Sequence, residues 1–595
     1  MTNLAQAKIT VTGSSASRSI GNRFADLINV KDFGATGNGI TDDTAAIQAA
    51  INWTSGSNAR GTVFFPPGRY AVTSTISLPV ANFVLLGSGT ASVLLANFHG
   101  FVFDQLSVPY GAATNGVVIE KLSITNSYAG QNINQASSSS WSASGSPVTI
   151  NTPSLDSGVA AGCLVYILDQ QIAPMPVFVG IVTSVVAGTS ITVSSTAVGS
   201  SGLSNLNLAL VQAYAANGSW TSSNSTITTA VSKPAGAPSG QCIVYDYDRI
   251  LLGDGTVPGV YTIGLGVATW SGTTVTFTDN VSQASVGSSD KLVFAPLAGC
   301  IRLSSSVVGT IRDCILSGFI CATTSQDNVN ASGQLQGAEA FSILVQGCSL
   351  SQAGTAAAIG GTGIYLTNNS LSLCNDLNGF WIGTRLSGIA CSIIGGRCEV
   401  CTYGVCLSAD QNTGNFVAAA NVLAGFSMES NTYAIVQSGG GKALISSLTI
   451  LCQNSNGKYG CYIGASNTIM QGSGVQGSWQ GYAIYMPDAG NTAGYNKFIG
   501  VTAVNNFIGA QDWRIPAQAW WGSCEQCNNP ALVYTFANLP DGSGSPTPIE
   551  GETYDISDDN SAHTFLATAS GGGSGTSAHR RVRYNAAASV WQVVG

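Results

Sequence analysis

A loose repeat in the second half of the chain constrains the fold more than any other feature. In each copy a small residue beside an aromatic one is followed by alternating apolar residues, as in YGVCL (403–407) and YAIVQ (433–437). A repeat of this length is typical of a solenoid, in which each copy forms one coil that packs on the next. The central apolar residues of successive copies are separated by 30, 26, 23 and 24 residues: Val405, Ile435, Cys461, Ile484 and Ile508.

The composition favours short strands with polar, uncharged surfaces. Only 8% of the 595 residues are charged, whereas 72 are glycine. Helical proteins need many charged side chains on their solvent-facing sides, so we expect few helices. The formal net charge is −8 and there is no run of Lys and Arg, which argues against a nucleic-acid partner.

A second informative stretch lies near the N-terminus, INVKDFGATGNGITDDTAAIQAAI at 28–51 and GTVFFPPGRYAVTSTISL at 61–78. It predicts a strand, a Gly-rich turn, and a helix that Thr41 caps and that Asp42 and Asp43 open. A short amphipathic helix can cover the open end of a solenoid. These residues resemble the start of the pectate-lyase-like family of right-handed parallel β-helices, particularly the branch of phage tailspikes and polysaccharide depolymerases.

The resemblance implies an all-β, right-handed parallel β-helix that acts on a bacterial capsular polysaccharide or exopolysaccharide. It also implies a homotrimer in the virion tail, acting at the host cell surface and attached to the tail or baseplate through an N-terminal arm. Residues 1–22 lack an apolar run of signal-peptide length, and no stretch approaches 18 consecutive apolar residues. We therefore expect neither an export signal nor membrane insertion.

A tandem duplication interrupts the early coils. Trp141 and Trp220 are 79 residues apart, as are Cys163 and Cys242, within two similar patterns of short strands. Solenoids tolerate insertions at turns, so we predict two inserted β modules, either for carbohydrate binding or as a spacer. The predicted regions are an N-terminal arm (1–27), a cap helix with the first coils (28–131), the two modules (132–214 and 215–296), the main β-helix (297–530) and a C-terminal β module (531–595).

The cysteines are expected to be reduced, buried and stacked within the coils, since several occupy similar places: Cys314, Cys348, Cys374 and Cys398. Disulfides are the alternative. The CEQC at 524–527 has the spacing of a metal site, but there is no second CxxC and the chain has only 3 histidines. We therefore expect no metal site and no cofactor.

Two glutamates are the candidate catalytic pair. Glu399 lies six residues before Val405, and Glu429 lies six residues before Ile435. If the copies stack in register, both project from the same position of adjacent coils, about 4.8 Å apart. Two carboxyl groups this close repel, so one should keep a proton near neutral pH, and a retaining glycosidase needs carboxyls about 5 Å apart. Asp410, at the end of the same coil as Glu399, is a more distant candidate.

The same spacing, six residues before the central apolar residue of the repeat, places Ser455 and Ser478 at the equivalent position of the next two coils. The structural alternative is that each glutamate only bonds backbone N–H groups of its own turn.

Substrate contacts are predicted from aromatic and basic residues in the same region. Sugar rings stack on indole and phenol rings, although burial in its strand is the alternative for Trp381. The candidates are Trp381, Trp479, Arg397, Tyr433 and Lys458.

Three functions stay open from the sequence. Glycoside hydrolysis with Glu399 and Glu429 is preferred. A polysaccharide lyase would need a base and a cation, for which Arg397, Tyr433, Lys442 and Lys458 are candidates. A non-catalytic glycan-binding fibre is the third.

Overall fold

The structure is a computed structural model. It describes the strands given below and, with their side chains, most of residues 7–10, 15–19, 27–54, 61–79, 82–98, 100–105, 116–127, 298–303, 308–323, 342–352, 361–366, 369–386, 390–408, 421–438, 443–464, 468–486 and 496–505. In the inserted and C-terminal regions the description is essentially one of backbone pairing.

The N-terminal part contains a two-stranded hairpin and then the first coils. The strands are β1 (Lys8–Thr10), β2 (Ser17–Ser19), β3 (Leu27–Asn29), β4 (Asn38–Asp42), β5 (Thr62–Phe64), β6 (Gly68–Val72), β7 (Ile76–Ser77), β8 (Phe83–Leu86), β9 (Ser92–Ala96), β10 (Gly100–Gln105), β11 (Val117–Glu120) and β12 (Ser123–Asn126). Two 3₁₀ helices, Val30–Phe33 and Gly89–Ala91, and the α-helix α1 (Thr44–Thr54) lie among them.

The inserted region consists of antiparallel strands. They are β13 (Ile133–Ser137), β14 (Val148–Asn151), β15 (Cys163–Asp169), β16 (Pro176–Val186), β17 (Ser190–Ala197), β18 (Leu206–Asn217), β19 (Trp220–Ser223), β20 (Thr226–Thr229), β21 (Gly240–Asp246), β22 (Thr262–Ser271), β23 (Thr274–Phe277), β24 (Ser285–Val286) and β25 (Lys291–Pro296).

The main part of the chain continues the coils and ends in a small separate sheet. The coil strands are β26 (Ala298–Leu303), β27 (Gly309–Arg312), β28 (Ile315–Gly318), β29 (Ile320–Thr323), β30 (Ile343–Gln346), β31 (Ser349–Gln352), β32 (Thr362–Leu366), β33 (Leu371–Asn378), β34 (Ile382–Leu386), β35 (Ser392–Glu399), β36 (Tyr403–Ser408), β37 (Asn421–Ala424), β38 (Ser427–Glu429), β39 (Tyr433–Ser438), β40 (Ala443–Ser446), β41 (Thr449–Ile463), β42 (Thr468–Gln471), β43 (Gly474–Tyr485), β44 (Lys497–Ile499), β45 (Thr502–Asn505), β46 (Gln511–Arg514) and β47 (Cys524–Glu525). The separate sheet contains β48 (Val533–Tyr534), β49 (Thr553–Ile556), β50 (Arg580–Asn585) and β51 (Val590–Val593).

The coils form a right-handed parallel β-helix with three parallel sheets, as predicted. The first sheet runs through β3, β5, β8, β11, β27, β30, β33, β35, β37, β40, β42, β44 and β47. The second runs through β4, β6, β9, β12, β28, β31, β33, β35, β38, β41, β43 and β45. The third runs through β7, β10, β26, β29, β32, β34, β36, β39, β41, β43 and β46.

Left-handed residues make the corner between the first and second sheets, one on most coils and two, Gly395 and Gly396, on the coil of β35. Lys121, Asp313 and Cys374 have φ of 56°, 53° and 52°, and Gly347 and Gly425 take the same place with φ of 62° and 61°. One residue with positive φ turns the strand sharply without an extra loop. The corner therefore keeps the second-sheet strands of neighbouring coils in register with one another.

The core is the interior of the coil. The inward-facing residues of the second sheet form one apolar column, and each is at most 1% exposed: Leu316, Leu350, Leu377, Cys398, Met428, Ile450 and Val475. Burial of apolar surface at about 25 cal/mol per Å² stabilises such a stack, coil by coil.

Three of the four cysteines named above follow the prediction. Cys314, Cys348 and Cys398 are buried free thiols, but Cys374 is exposed. Cys374 is itself the left-handed corner residue, so its side chain turns outward and Asn375 takes the inner place. Asn375 is held there because its Oδ1 accepts a bond from Cys348 N at 2.9 Å.

The cap helix begins later than predicted. Asp42 ends β4, and α1 begins at Thr44, with Ile47 N donating to Asp43 O at 2.9 Å as the first helical bond. The Asp43 carboxylate instead accepts from Thr36 N and Gly37 N in the preceding turn. The prediction that Thr41 caps the helix is therefore wrong. The helix is amphipathic as predicted: Ile47, Ala50 and Ile51 are buried, and Ala46 is half-buried against the core.

The inserted region has the same strand order twice. In the first half β14, β17, β16, β15 and β18 are neighbours in that order, and in the second half β20, β23, β22, β21 and β25 repeat it. The last residues of β18 pair with β25, so both halves form one sheet. The boundary predicted after residue 214 therefore falls inside β18.

Candidate active site

Glu399 and Glu429 are direct register partners on β35 and β38. Both end second-sheet strands whose preceding residues, Cys398 and Met428, point into the core, so the two glutamates project outward from adjacent coils. Neighbouring parallel strands are about 4.8 Å apart. The sequence-based stacking of this pair is confirmed.

Arg397 lies beside the pair and joins it to a third carboxylate. Its Nη1 donates to Glu399 Oε1 at 2.7 Å, while Nε and Nη2 donate to Asp376 Oδ1 and Oδ2 at 3.2 and 3.1 Å. These bonds to Asp376, with the negative charges of Glu399 and Glu429 nearby, raise the pKa of Arg397. The guanidinium thus offsets part of the repulsion among three carboxylates.

Glu399 is the least exposed of the three side chains that form these ion pairs. Its side chain is 17% exposed, compared with 48% for Asp376 and 47% for Arg397. Asn378, its register partner on the preceding coil, donates from Nδ2 to Glu399 Oε2 at 3.4 Å. Glu399 is therefore oriented from two sides, which favours a fixed geometry.

The backbone is strained immediately after Glu399. Val400 has φ of 54°, an unusual conformation for a β-branched residue. Gly379 and Ser430 follow Asn378 and Glu429 with φ of 76° and 53°, so all three make the same corner. Val400 N donates to Glu429 O at 3.0 Å, which ties the corner of one coil to the next glutamate.

This cluster can position a sugar between two carboxyl groups. Its members are Glu399, Glu429, Arg397 and Asp376. One carboxyl group is held by a cation and an amide, and its partner lies one coil away. Such a pair can act as nucleophile and general acid on a glycosidic bond.

Three predicted substrate contacts are buried instead. Trp479 is 0% exposed in the coil interior, and Trp381 is 2% exposed with its ring edge-on to Tyr403 at 5.6 Å. Tyr433 is 4% exposed and stacks on Tyr403 at 5.1 Å on the third sheet, around the corner from Glu429. The prediction that sugars stack on these three rings is therefore wrong, because each ring already packs within the protein.

Other predicted residues lie beyond the described part of the chain. Asp410 and Lys442 fall outside the described residues, and Lys458 lies in β41 but its side chain is not among those described. These roles stay predictions.

The predicted positions of Ser455 and Ser478 are wrong. The register pairs Glu429 with Leu451, and Leu451 with Gln476.

Asp376 belongs to this cluster, although the predicted site did not include it. It precedes the core residue Leu377 as Arg397 precedes Cys398, and the register pairs Asp376 with Arg397. Alignment of the inward-facing residues, rather than of the aromatic repeat, is the signal that finds it.

Two further findings concern metal ions and membranes. Within the described ranges, no group of three or more His, Cys, Asp or Glu side chains is arranged to hold a metal ion. A search of the same residues found no helix long and apolar enough to cross a membrane.

Residues 27–140 match the family model described as rhamnogalacturonase A/epimerase, pectate lyase-like. The match covers about a fifth of the chain and includes both stretches, 28–51 and 61–78, that carry the predicted resemblance to pectate-lyase-like proteins, so this resemblance is confirmed.

Among curated proteins, mannuronan C5-epimerase AlgE5 of Azotobacter vinelandii is 35% identical over 105 residues, which is 16% of this chain and 10% of the epimerase. The chain therefore matches only about a tenth of the length of that relative.

Two solved structures extend the comparison. The tailspike protein of E. coli bacteriophage HK620 (a double mutant) is 9% identical with a TM-score of 0.45, covering 84% of this chain and 66% of the tailspike. The A-module of mannuronan C5-epimerase AlgE6 of Azotobacter vinelandii is 12% identical with a TM-score of 0.40, covering 84% of this chain and 98% of the module. Because both TM-scores are below 0.5, the assignment of the fold rests on the strand registers described above and not on these two structures.

Proposed function

We propose that this protein cleaves a bacterial capsular polysaccharide or exopolysaccharide by glycoside hydrolysis. The observation that supports it best is the register pairing of Glu399 with Glu429 on an exposed face of the solenoid. Parallel strands place such partners near the separation that retaining glycosidases use, about 5 Å. The curated relative that matches part of the chain is named for its action on a polysaccharide, mannuronan.

The environments of the two glutamates suggest different roles. Glu399, which Arg397 and Asn378 hold in place, suits the nucleophile that attacks the anomeric carbon. Glu429 suits the general acid that protonates the leaving oxygen and then activates water. Arg397 and Asp376 are positioning residues, because they act through Glu399.

The test is cleavage of host exopolysaccharide by Glu399→Gln and Glu429→Gln, measured as chain length and as newly formed reducing ends. Each variant should lose at least about a hundredfold in rate, since general acid–base catalysis alone contributes about 10²–10⁴-fold. Their thermal unfolding should stay close to wild type, because both side chains point away from the core. Ser446→Ala, on the outer side of the first sheet, is a matched control that should keep full activity.

Two alternatives have distinct readouts in the same experiment. A lyase shortens the glycan and creates an unsaturated uronate that absorbs ultraviolet light. A glycan-binding fibre binds without shortening. Full activity in both glutamate variants excludes the proposed pair.

We also propose that the protein is a homotrimer of a phage tail that works outside the host cell. The resemblance to tailspikes supports this assembly, and the N-terminal arm with its β1–β2 hairpin is the proposed attachment. The mass of the purified protein in solution, measured by light scattering, tests the trimer. Labelling of the arm in intact virions tests the location.

A further inference from the structure

From β12 to β45, the outer side of the second sheet carries charge in one place only. Its outward positions form two columns of register partners, which we call the second-sheet face. The first column is Ser123, Ile315, Ser349, Asp376, Arg397, Ser427, Thr449, Gly474 and Thr502. The second column is Thr125, Ser317, Ser351, Asn378, Glu399, Glu429, Leu451, Gln476 and Val504.

The charged part of this face is negative. It holds three carboxyl groups, Asp376, Glu399 and Glu429, against one guanidinium, Arg397, so its formal charge is −2 with all three ionised and −1 when Glu429 carries the proton that a general acid donates. Arg397 donates three side-chain hydrogen bonds within this cluster, two to Asp376 and one to Glu399. Along these two columns from β12 to β45, no other cationic side chain occurs. The next one in the same sheet, Arg69, lies on β6, six strands before Arg397 on β35.

The rest of the face is uncharged and offers hydroxyl and amide groups, together with the apolar side chains of Ile315, Leu451 and Val504. Before the charged coils lie Ser317 and Ser351, whose hydroxyls are within 3.3 Å of each other, and beyond them lie Thr449 and Gln476. Ser351, Thr449 and Gln476 are exposed. Neutral hydroxyls and amides bind sugar hydroxyls by hydrogen bonds without neutralising a charge.

We propose that the second-sheet face binds an uncharged glycan that runs along the solenoid axis, and not a polyuronate. A uronate here would place its carboxylate beside these three carboxyl groups, at least two of them negatively charged, with the local cation already bonded to Asp376 and Glu399. A neutral chain meets no such repulsion and can reach uncharged polar groups on both sides of Glu399 and Glu429. The proposal rests on the proposed function, since it assigns the substrate class of the same site.

This substrate class also bears on the chemistry. β-Elimination needs a cation to neutralise the carboxylate of a uronic acid, and on this face Arg397 is committed to Asp376 and Glu399. Hydrolysis of a neutral glycosidic bond needs no such group, only the two carboxyls.

The experiment separates glycans by charge. Exopolysaccharides from a panel of bacterial strains are passed over an anion-exchange resin, and the unbound (uncharged) and bound (acidic) fractions are incubated with the wild-type protein and with Glu399→Gln. We expect the wild type to shorten an uncharged fraction and leave every acidic fraction intact. We also expect the rate to change less than about twofold between low salt and about 0.5 M NaCl, since screening acts on charged pairs.

The outcomes separate this inference from the proposed function. Glu399-dependent shortening of an acidic fraction, or a rate on that fraction that falls steeply with salt, would overturn the neutral-substrate proposal while leaving the catalytic pair in place. If no fraction from any strain is shortened, the proposed hydrolase itself fails, and this inference fails with it. Reduction of the carboxyl groups of an acidic fraction is the matched control: a shortened product only after reduction supports the proposal.

Discussion

Asp104 and Arg302 form an ion pair in the wall of the solenoid although 198 residues separate them in sequence. Arg302 Nε and Nη2 donate to Asp104 Oδ1 and Oδ2 at 2.7 and 2.6 Å, and the side chains are only 2% and 0% exposed. The two residues are register partners on β10 and β26, the strands on either side of the inserted region. The pair therefore links the coil before the insertion to the coil after it.

Asp104→Asn should lower the free energy of unfolding by about 3 kcal/mol, because removal of one partner leaves the other charge buried. Denaturant unfolding followed by circular dichroism measures the change. Glu120→Gln is the matched control, since its partner Arg312 is 48% exposed and also bridges the insertion. That change should cost under about 1 kcal/mol, and equal effects of the two substitutions would contradict the role given to burial.

The inserted region should be removable without loss of the β-helix. Asn126 Nδ2 donates to Gly299 O at 3.3 Å, so the two ends of the insertion already meet. On the next coil a single residue, Phe319, joins the equivalent strands β28 and β29. A chain in which a short Gly-Ser linker replaces residues 128–297 should therefore be soluble and keep its β-type circular dichroism.

The control for this deletion is the same excision combined with Asp104→Asn, which should unfold at lower denaturant. Aggregation of the simple deletion under conditions where the full chain is soluble would show that the insertion is needed for folding.

Alkaline pH should destabilise the solenoid through its buried thiols. Burial raises the pKa of Cys391 to about 11 from an ordinary value of 9.0. The folded chain holds this proton more tightly than the unfolded chain, so its contribution is complete below about pH 9 and is lost as pH rises to about 11. The shift corresponds to about 2–3 kcal/mol.

Unfolding midpoints between pH 8 and 11 measure the effect, and Cys391→Ala should show a shallower decline than wild type. As a control, iodoacetamide at pH 8 should label exposed Cys374 in the native protein and spare Cys391. A parallel decline in both proteins would argue against the assignment to this thiol.

Val400→Gly should stabilise the protein by about 1 kcal/mol. The substitution relieves a β-branched residue with φ of 54°, although part of the gain is offset by the entropy of glycine in the unfolded chain. Gly379 makes the same corner on the coil before, so glycine fits there. Differential scanning calorimetry gives the measurement. Ser430→Gly should gain less, because serine is not β-branched, and a lower midpoint for Val400→Gly would refute the strain.

The glutamate pair was predictable because the same sequence spacing occurs on two adjacent coils. Glu399 and Glu429 both stand six residues before a core residue of the third sheet, and those residues, Val405 and Ile435, are register partners. The same measure fails on the next coil. Leu451, the partner of Glu429, stands ten residues before Cys461, because β41 runs on through the corner.

The aromatic residues show the opposite case. The sequence identifies Trp381, Trp479 and Tyr433 as rings near the candidate site, but an aromatic ring serves equally well in a core and on a sugar. Only the corner between sheets decides which side of the wall each ring faces, and all three are buried.

By itself the sequence determined the coiled β architecture, the presence of a short cap helix, the repeated strand pattern of the inserted region and the stacking of Glu399 on Glu429. These follow from local periodicity, which depends on residues close together in the chain. The tertiary structure alone decided that Asp376 joins Arg397, that Arg302 reaches Asp104 across the insertion, and that Cys374 faces outward. Each of these depends on the register in which strands distant in sequence pair. That register is set by the lengths and backbone torsions of the corners, which composition and residue spacing do not reveal.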